Sequence, residues 1–360
     1  MNFASDNGAG VAPDILEAIA ASCRVNAPAY GADDYTRRAE ASLAEVFEKK
    51  VAAFLVPTGT AANALALSAL AKPWEAIFCH EEAHIHDDEC GAPEFYSGGA
   101  KLVGIPGEGG KVTASALAET LARFPRGLVK SCQPGALSLS QATEAGTVYH
   151  LDEIAELADI AHAAGVCVHM DGARFANALV SLGLAPAELT WRAGVDALSF
   201  GATKNGALAC EAVVFFDSAR AADFEYRRKR AGHTLSKGRF LGAQMEAYLK
   251  GGLWLRLAER ANAASRRLSA ALAKLPGVRI AWPIEANEVF AVVPEPTVSR
   301  WREAGVKFYE WSTRAIASDV APRNGETLVR LVTSFETEPA EIDTLVGLCA
   351  QADTIAAQAP

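Results

Sequence analysis

The chain reads as an α/β protein: a mostly parallel central sheet with helices on both faces, followed by a small C-terminal α+β unit. Three observations predict this. Short apolar runs alternate with helical patterns as far as residue 252, the pattern of parallel strands joined by crossover helices. A long helical stretch over 253–275 then separates that region from a second group of strand-like runs. Finally, 360 residues that are 50% hydrophobic and 21% charged can bury one large core and one smaller one. We therefore expect a large domain over 1–252, with an N-terminal arm, and a small domain over 253–360.

The candidate strands of the large sheet are Ala52–Val56, Ala76–Cys79, Lys101–Ile105, Gly127–Ser131, Val166–Met170, Asp196–Phe200 and Ala212–Phe216. The clearest helix is Glu153–Ala164. Asp152 can cap it, Ile154, Leu157, Ala158 and Ala161 share one face, and Gly165 ends it. Leu253–Leu275 reads as a long helix leading into the second unit. There Val278–Trp282, Val289–Val293, Val306–Glu310 and Leu328–Thr333 read as strands, and a closing helix begins at Pro339. No repeat or low-complexity segment interrupts the chain.

Charge and cysteine usage narrow the function. A formal charge of −9 argues against a nucleic-acid surface, with Arg227-Arg228-Lys229-Arg230 as a local exception. Seven cysteines without a CxxC pair suggest a reducing compartment. The opening Met1-Asn2-Phe3-Ala4-Ser5-Asp6 carries no signal pattern, and no apolar stretch approaches membrane length. The expectation is a soluble cytoplasmic protein.

Two apolar runs end in chemically informative turns. Val166–Met170 leads into Asp171-Gly172-Ala173-Arg174, and Val195–Phe200 leads into Gly201-Ala202-Thr203-Lys204-Asn205-Gly206. Ligands of open α/β sheets gather at the carboxyl ends of such strands. A lysine there can form a Schiff base with an aldehyde cofactor, and an aspartate can pair with a pyridinium nitrogen. The pairing points to pyridoxal 5′-phosphate. Val56-Pro57-Thr58-Gly59-Thr60-Ala61-Ala62-Asn63 offers the phosphate site this cofactor needs: a strand, a small-residue turn, then a helix start with free amides. The same turn would also serve as an ordinary helix cap.

Arg330 interrupts the strand-like Leu328-Val329-Arg330-Leu331-Val332. Pointing inward, it needs an anion such as a carboxylate; pointing outward, it is a solvated edge residue. His80-Glu81-Glu82-Ala83-His84 matches the HExxH zinc pattern, which works when both histidines lie on one helix face. Here it directly follows a strand-like run, so His80 is expected in a turn, and no third ligand is evident. A polar histidine at a strand end, or one stacked on a cofactor ring, accounts for His84 better than zinc does.

With Asp171–Arg174, the Thr203–Gly206 turn, Ala83-His84 and Leu331-Val332-Thr333 in place, the chain resembles the threonine aldolase family. That family consists of pyridoxal-phosphate enzymes of the aspartate-aminotransferase-like fold, fold type I. The similarity runs from Ser5-Asp6 to the final helix and is nearest the bacterial branch that carries Ala27-Pro28-Ala29-Tyr30-Gly31 and Thr203–Gly206. The resemblance implies that Lys204 holds the cofactor as a Schiff base and Asp171 keeps the pyridine nitrogen protonated. It implies that Gly59, Thr60 and Thr203 bind the phosphate and that His84 stacks on the ring near the substrate hydroxyl. Ser5, Arg174 and Arg330 would hold the substrate carboxylate. Lys229, Tyr30 and Asp33-Asp34 would reach a neighbouring subunit, making the protein a homodimer or homotetramer with shared sites.

One departure from the family stands at Glu144, where many relatives carry a histidine; a carboxylate there could still accept a proton through water. The function expected is cleavage of L-threonine, L-allo-threonine and related β-hydroxy-α-amino acids, phenylserine included, to glycine and an aldehyde. The alternatives are another enzyme of the same fold, an aminotransferase or β-eliminating lyase, or a zinc hydrolase using His80 and His84.

Overall fold

The structure, a computed structural model, describes residues 1–314 and 316–356. Its large sheet has seven strands: β1 (Ala52–Val56), β2 (Glu75–His80), β3 (Lys101–Ile105), β4 (Gln133–Ser140), β5 (Cys167–Gly172), β6 (Ala197–Gly201) and β7 (Glu211–Phe215). They lie in the order β1-β7-β6-β5-β4-β2-β3. β7 runs antiparallel to both its neighbours, setting Phe215 opposite Ala52 and Ala197, while the other pairings are parallel. Six strands therefore end along one edge of the sheet, where a ligand crevice is expected.

Alternation along the strands feeds two cores. Leu198, Phe200, Val214 and Phe216 join Val168, Met170, Leu137 and Leu139 on one face. Ala197, Val213 and Phe215 join Ile77 and Cys79 on the other, under the alanine-rich helix Gly59–Leu70. That helix is apolar nearly all round because it is buried nearly all round.

One expected strand is misplaced. Residues 127–131 form turns, with Val129 98% exposed, and the strand starts at Gln133. The apolar pair Leu128-Val129 mimics a strand, while the real one carries serines whose hydroxyls find partners in His169 and Glu144. The helix expected at 153–164 spans Leu151–Ala163, so Asp152 sits in its first turn and is not the cap. Glu153 Oε2 there accepts the His150 N–H at 2.6 Å.

The smaller sheet is antiparallel, in the order β10-β11-β9-β8, from β8 (Arg279–Ile280), β9 (Glu288–Pro294), β10 (Tyr309–Glu310) and β11 (Glu326–Val332). β10 is shorter than the expected 306–310 because the N-terminal segment uses that backbone: Phe3 N–H donates to Lys307 O, and Lys307 N–H to Met1 O. Phe3 is buried with Leu268, Val289, Val329 and Trp301 in the core of this sheet. The helix Leu253–Leu272 covers it and gives way to turns ahead of Pro276, short of the expected 275. No described helix is long and apolar enough to cross a membrane, and all seven cysteines are free.

Candidate active site

A cavity of about 690 Å³ opens at the carboxyl ends of β4, β5 and β6 and reaches to β10 and β11. At one end lie Thr58, Gly59 and Thr60. Thr58 Oγ1 accepts the Ala61 N–H at 3.1 Å and so starts the helix Gly59–Leu70. The first amides of that helix lack intrahelical partners, which suits an anion. A Cβ added to Gly59 would meet no atom within 4 Å, so the turn faces open space. Thr203 lines the same end, and its hydroxyl accepts the Cys210 N–H at 3.1 Å, which helps close the lysine turn.

Lys204 follows β6 on a short 3-10 turn and is the single lysine on the cavity wall among the described residues. The turn is fixed from below. Asn205 Nδ2 donates to Tyr248 Oη and Trp254 O, both at 2.8 Å, and Gly206 adopts φ +105°, which a side chain would strain.

Asp171, next to last in β5, is 7% exposed. Its Oδ1 accepts the Ala173 N–H at 3.0 Å and its Oδ2 accepts Asn63 Nδ2 at 2.7 Å. The same Asn63 nitrogen donates to Glu89 Oε1 at 2.9 Å, and Glu89 Oε1 pairs with His84 Nδ1 at 2.9 Å. One chain of hydrogen bonds thus links Asp171 to His84. Bonding to Glu89 raises the His84 pKa, and burial raises that of Glu89. With Nδ1 tied to Glu89, His84 keeps Nε2 for a ligand. His169, two residues before Asp171, is bonded to Ser138 and Ser199 and is pushed down to about 4 by burial, hence neutral.

Glu144 lines the cavity after β4. Its Oε1 accepts the His84 N–H and the Ser140 hydroxyl, each at 2.9 Å, and its Oε2 has no partner among the described residues. Burial, then the nearby Asp171 charge, pushes its carboxyl up to about 7. It can therefore exchange a proton near neutrality.

Two arginines stand at the far end. Arg330 of β11 faces inward, its Cζ 4.2 Å from the Trp311 ring centroid and 5.4 Å from that of Tyr309. Its Nη2 donates to Ala4 O at 3.3 Å and its Nε has no partner among the described residues. Arg174 is already engaged. Its Nε and Nη2 grip Asp6 at 2.7 and 3.0 Å, and its Nη1 lies 3.3 Å from Glu288 Oε2. Burial works against the Asp6 charge, but Arg174, then Lys204, outweigh it and hold its pKa down. Of the two arginines, Arg330 has the freer donors. Ser5 Oγ accepts the Asn7 N–H at 3.2 Å and lines the cavity, its hydroxyl proton free to be donated.

Tyr30 and Lys229 lie together, with Nζ 4.8 Å from the ring centroid, but neither lines the cavity. Asp33 caps the helix Asp34–Val46 by accepting the Thr36 N–H at 2.9 Å. His80 ends β2 with Nε2 2.9 Å from Gly107 O and Nδ1 accepting the Glu82 N–H at 3.1 Å. The HExxH pattern therefore spans a strand end and a turn, and His80 has no free ring nitrogen for zinc. No cluster of three or more potential metal ligands occurs among the described residues. Sequence reasoning did not single out Asn63, Asp6, Glu89 or Glu288; only the position of Asp6 beside Ser5 gave a hint.

The geometry can be set beside known proteins. The beta-eliminating lyase family matches residues 2–296. A low-specificity L-threonine aldolase of a Pseudomonas species is 41% identical over 343 residues, 95% of each chain. Its Pseudomonas aeruginosa counterpart is 44% identical over 307 residues, 85% of this chain and 88% of the relative. Among solved structures, a Leishmania major threonine aldolase superposes with a TM-score of 0.89 at 27% identity, covering 97% of this chain and 98% of that one.

Proposed function

This chain belongs to the beta-eliminating lyase family, and we propose accordingly that it is a pyridoxal-phosphate-dependent aldolase. It splits L-threonine, L-allo-threonine and related β-hydroxy-α-amino acids, phenylserine among them, into glycine and an aldehyde. The cofactor and the carbon–carbon lyase activity are those of the family and its threonine aldolases. The carrying observation is that Lys204 and Asp171, from neighbouring strand ends, share one cavity with the inward Arg330.

The residues present fit pyridoxal phosphate: one lysine, a buried carboxylate held by two donors, and an open glycine turn at a helix start. Lys204 Nζ would anchor the cofactor covalently, Asp171 would hold the pyridine nitrogen's proton, and Gly59 and Thr60 would hold the phosphate. Thr203, whose hydroxyl accepts the Cys210 N–H, would add a donor at that end. Once bound, the cofactor supplies an electron sink for the electron pair of the breaking Cα–Cβ bond. Arg330 and Ser5 grip the substrate carboxylate, with Arg174 behind them steadied by Asp6. That grip fixes the orientation of the Cα–Cβ bond, and orientation selects which bond breaks. Glu144 Oε2 or His84 Nε2 takes the hydroxyl proton as the aldehyde forms, and a proton returned to Cα completes glycine.

Borohydride reduction of the yellow holoenzyme followed by peptide mapping should place the pyridoxyl label on Lys204. Threonine alone, with no keto acid, should yield glycine and acetaldehyde without ammonia. A label elsewhere, or ammonia as product, would overturn the assignment. We further infer that residues 1–252 and 253–360 form the two domains, and that the protein is a cytoplasmic homodimer or homotetramer. In that assembly the exposed Tyr30 and its stacked Lys229 serve a neighbour's cavity. A holoenzyme that sediments as a monomer at working concentration would remove the shared-site part.

A further inference from the structure

Glu211 opens β7 opposite Val56 on one side and Gly201 on the other. Those two partners lead directly into the segments that close the phosphate end, Pro57–Thr60 and Ala202–Lys204. The Glu211 side chain lines the same cavity as Thr58 and Gly59, is 7% exposed, and accepts the Ala202 N–H through Oε2 at 2.9 Å. No arginine pairs with it among the described residues. The titratable groups that face it are Lys204 on the adjoining turn, Cys210 on its own segment, and Tyr248 on the helix Arg239–Leu249. Burial keeps the thiol and the phenol neutral, which leaves Lys204 as its charged neighbour. Glu211 takes no part in gripping the substrate carboxylate or in moving the hydroxyl proton. A carboxylate buried beneath a phosphate turn would nevertheless repel the group the turn is built to hold.

We propose that Glu211 couples occupancy of the phosphate end to a proton: a phosphate dianion on the Gly59–Thr60 turn binds together with one proton, taken up by the Glu211 carboxyl. The inference rests on the reading that a phosphorylated cofactor occupies this end. Like charges in a water-poor site disfavour the ionised form, so the second anion to arrive raises the proton affinity of the first. A neutral carboxyl still accepts the Ala202 N–H through its carbonyl oxygen, so the lysine turn keeps its support.

Burial already pushes the Glu211 carboxyl up to about 7, against the pull of Thr203, Ala202 and Lys204. The sign follows. Below that value the carboxyl is already neutral and binding takes up no proton. Above it each binding event takes up one, and affinity falls about tenfold per pH unit until the bound form itself ionises.

The test uses apoprotein titrated calorimetrically with pyridoxal phosphate at about pH 8, in two buffers of different ionisation enthalpy. Proton uptake by the wild type should exceed that of Glu211→Gln by close to one. The wild-type Kd should also rise about tenfold more than the variant's for each pH unit above 7. Difference infrared spectra of the wild type, independent of any variant, should gain a protonated-carboxyl band on binding. Equal proton counts with tight binding in both proteins, or no such band, would overturn the proposal. Failure of the wild type to bind the cofactor, or a label away from Lys204, would instead overturn the cofactor reading beneath it.

Discussion

Replacing Arg330 with methionine keeps an unbranched side chain against Trp311 while removing the charge and the donors. A carboxylate about 4 Å from a guanidinium gains about 4 kcal/mol at the effective dielectric of a partly screened protein site. The Arg330 side chain is 14% exposed, and Arg174 remains nearby, so the net loss should be smaller. We expect about 2–4 kcal/mol, which at about 1.4 kcal/mol per decade is a fall of about 30- to 1000-fold in kcat/KM for threonine. The fold should tolerate the change, because Glu288 loses a contact at 3.9 Å and keeps Arg174 at 3.3 Å. Steady-state acetaldehyde release gives the rate; the cofactor's absorbance gives Kd for glycine and for methylamine. Glycine should bind more weakly to the variant, while methylamine, which has no carboxylate, should bind as before. Arg330→Lys, with charge but no planar fork, should fall between. Equal loss for both ligands, or less than about a threefold change with threonine, would refute the carboxylate role.

Three other perturbations bear on the same site. With Glu144 as the proton acceptor, wild-type kcat/KM should decline as pH falls through about 7, and Glu144→Gln should abolish that limb and lower the plateau about a hundredfold or more; a limb that survives the substitution in the pH–rate profile would assign the proton to His84 instead. Asp6→Asn leaves buried Arg174 with only Glu288, and urea unfolding should show a loss of about 2–4 kcal/mol. Because the folded-state pKa of Asp6 is lowered, the wild type's advantage should be fully present above the unfolded value of about 3.9, decline below it, and be gone once pH has fallen through the lower folded-state value; an advantage undiminished in strong acid would contradict the ion-pair account. Gly59→Val points its side chain into open space, so the apoprotein should melt within a few degrees of wild type while cofactor affinity drops about tenfold or more; unchanged affinity would show that the turn does not hold the phosphate.

What the sequence reveals here follows the range of the interactions. The turns that carry Asp171 and Lys204 are legible because each follows a local apolar run, and the Gly59 turn because strand, turn and helix are contiguous. β4 is hidden, since Ser138 and Ser140 look solvent-bound until His169 and Glu144 are brought to them across the sheet. The supporting polar groups are hidden for the same reason. Asp6 meets Arg174 across 168 positions and Asn63 meets Asp171 across 108, distances at which no periodicity or spacing speaks. The committed fork of Arg174 is likewise invisible, because sequence shows an arginine but not which carboxylate reaches it first.

The threading of Phe3 and Ala4 sets an order on biosynthesis. Phe3 bonds to Lys307 and Val332, and Ala4 accepts from Arg330, so residues made before the large sheet find these partners only in segments made after it. During translation that segment must wait with Phe3 uncovered while the large sheet assembles. The two ends of the cavity are therefore completed at different times: the glycine turn and the lysine as soon as β7 is placed, the arginine end only after β11 leaves the ribosome. A nascent chain stalled between those points should capture cofactor before it can hold an amino acid.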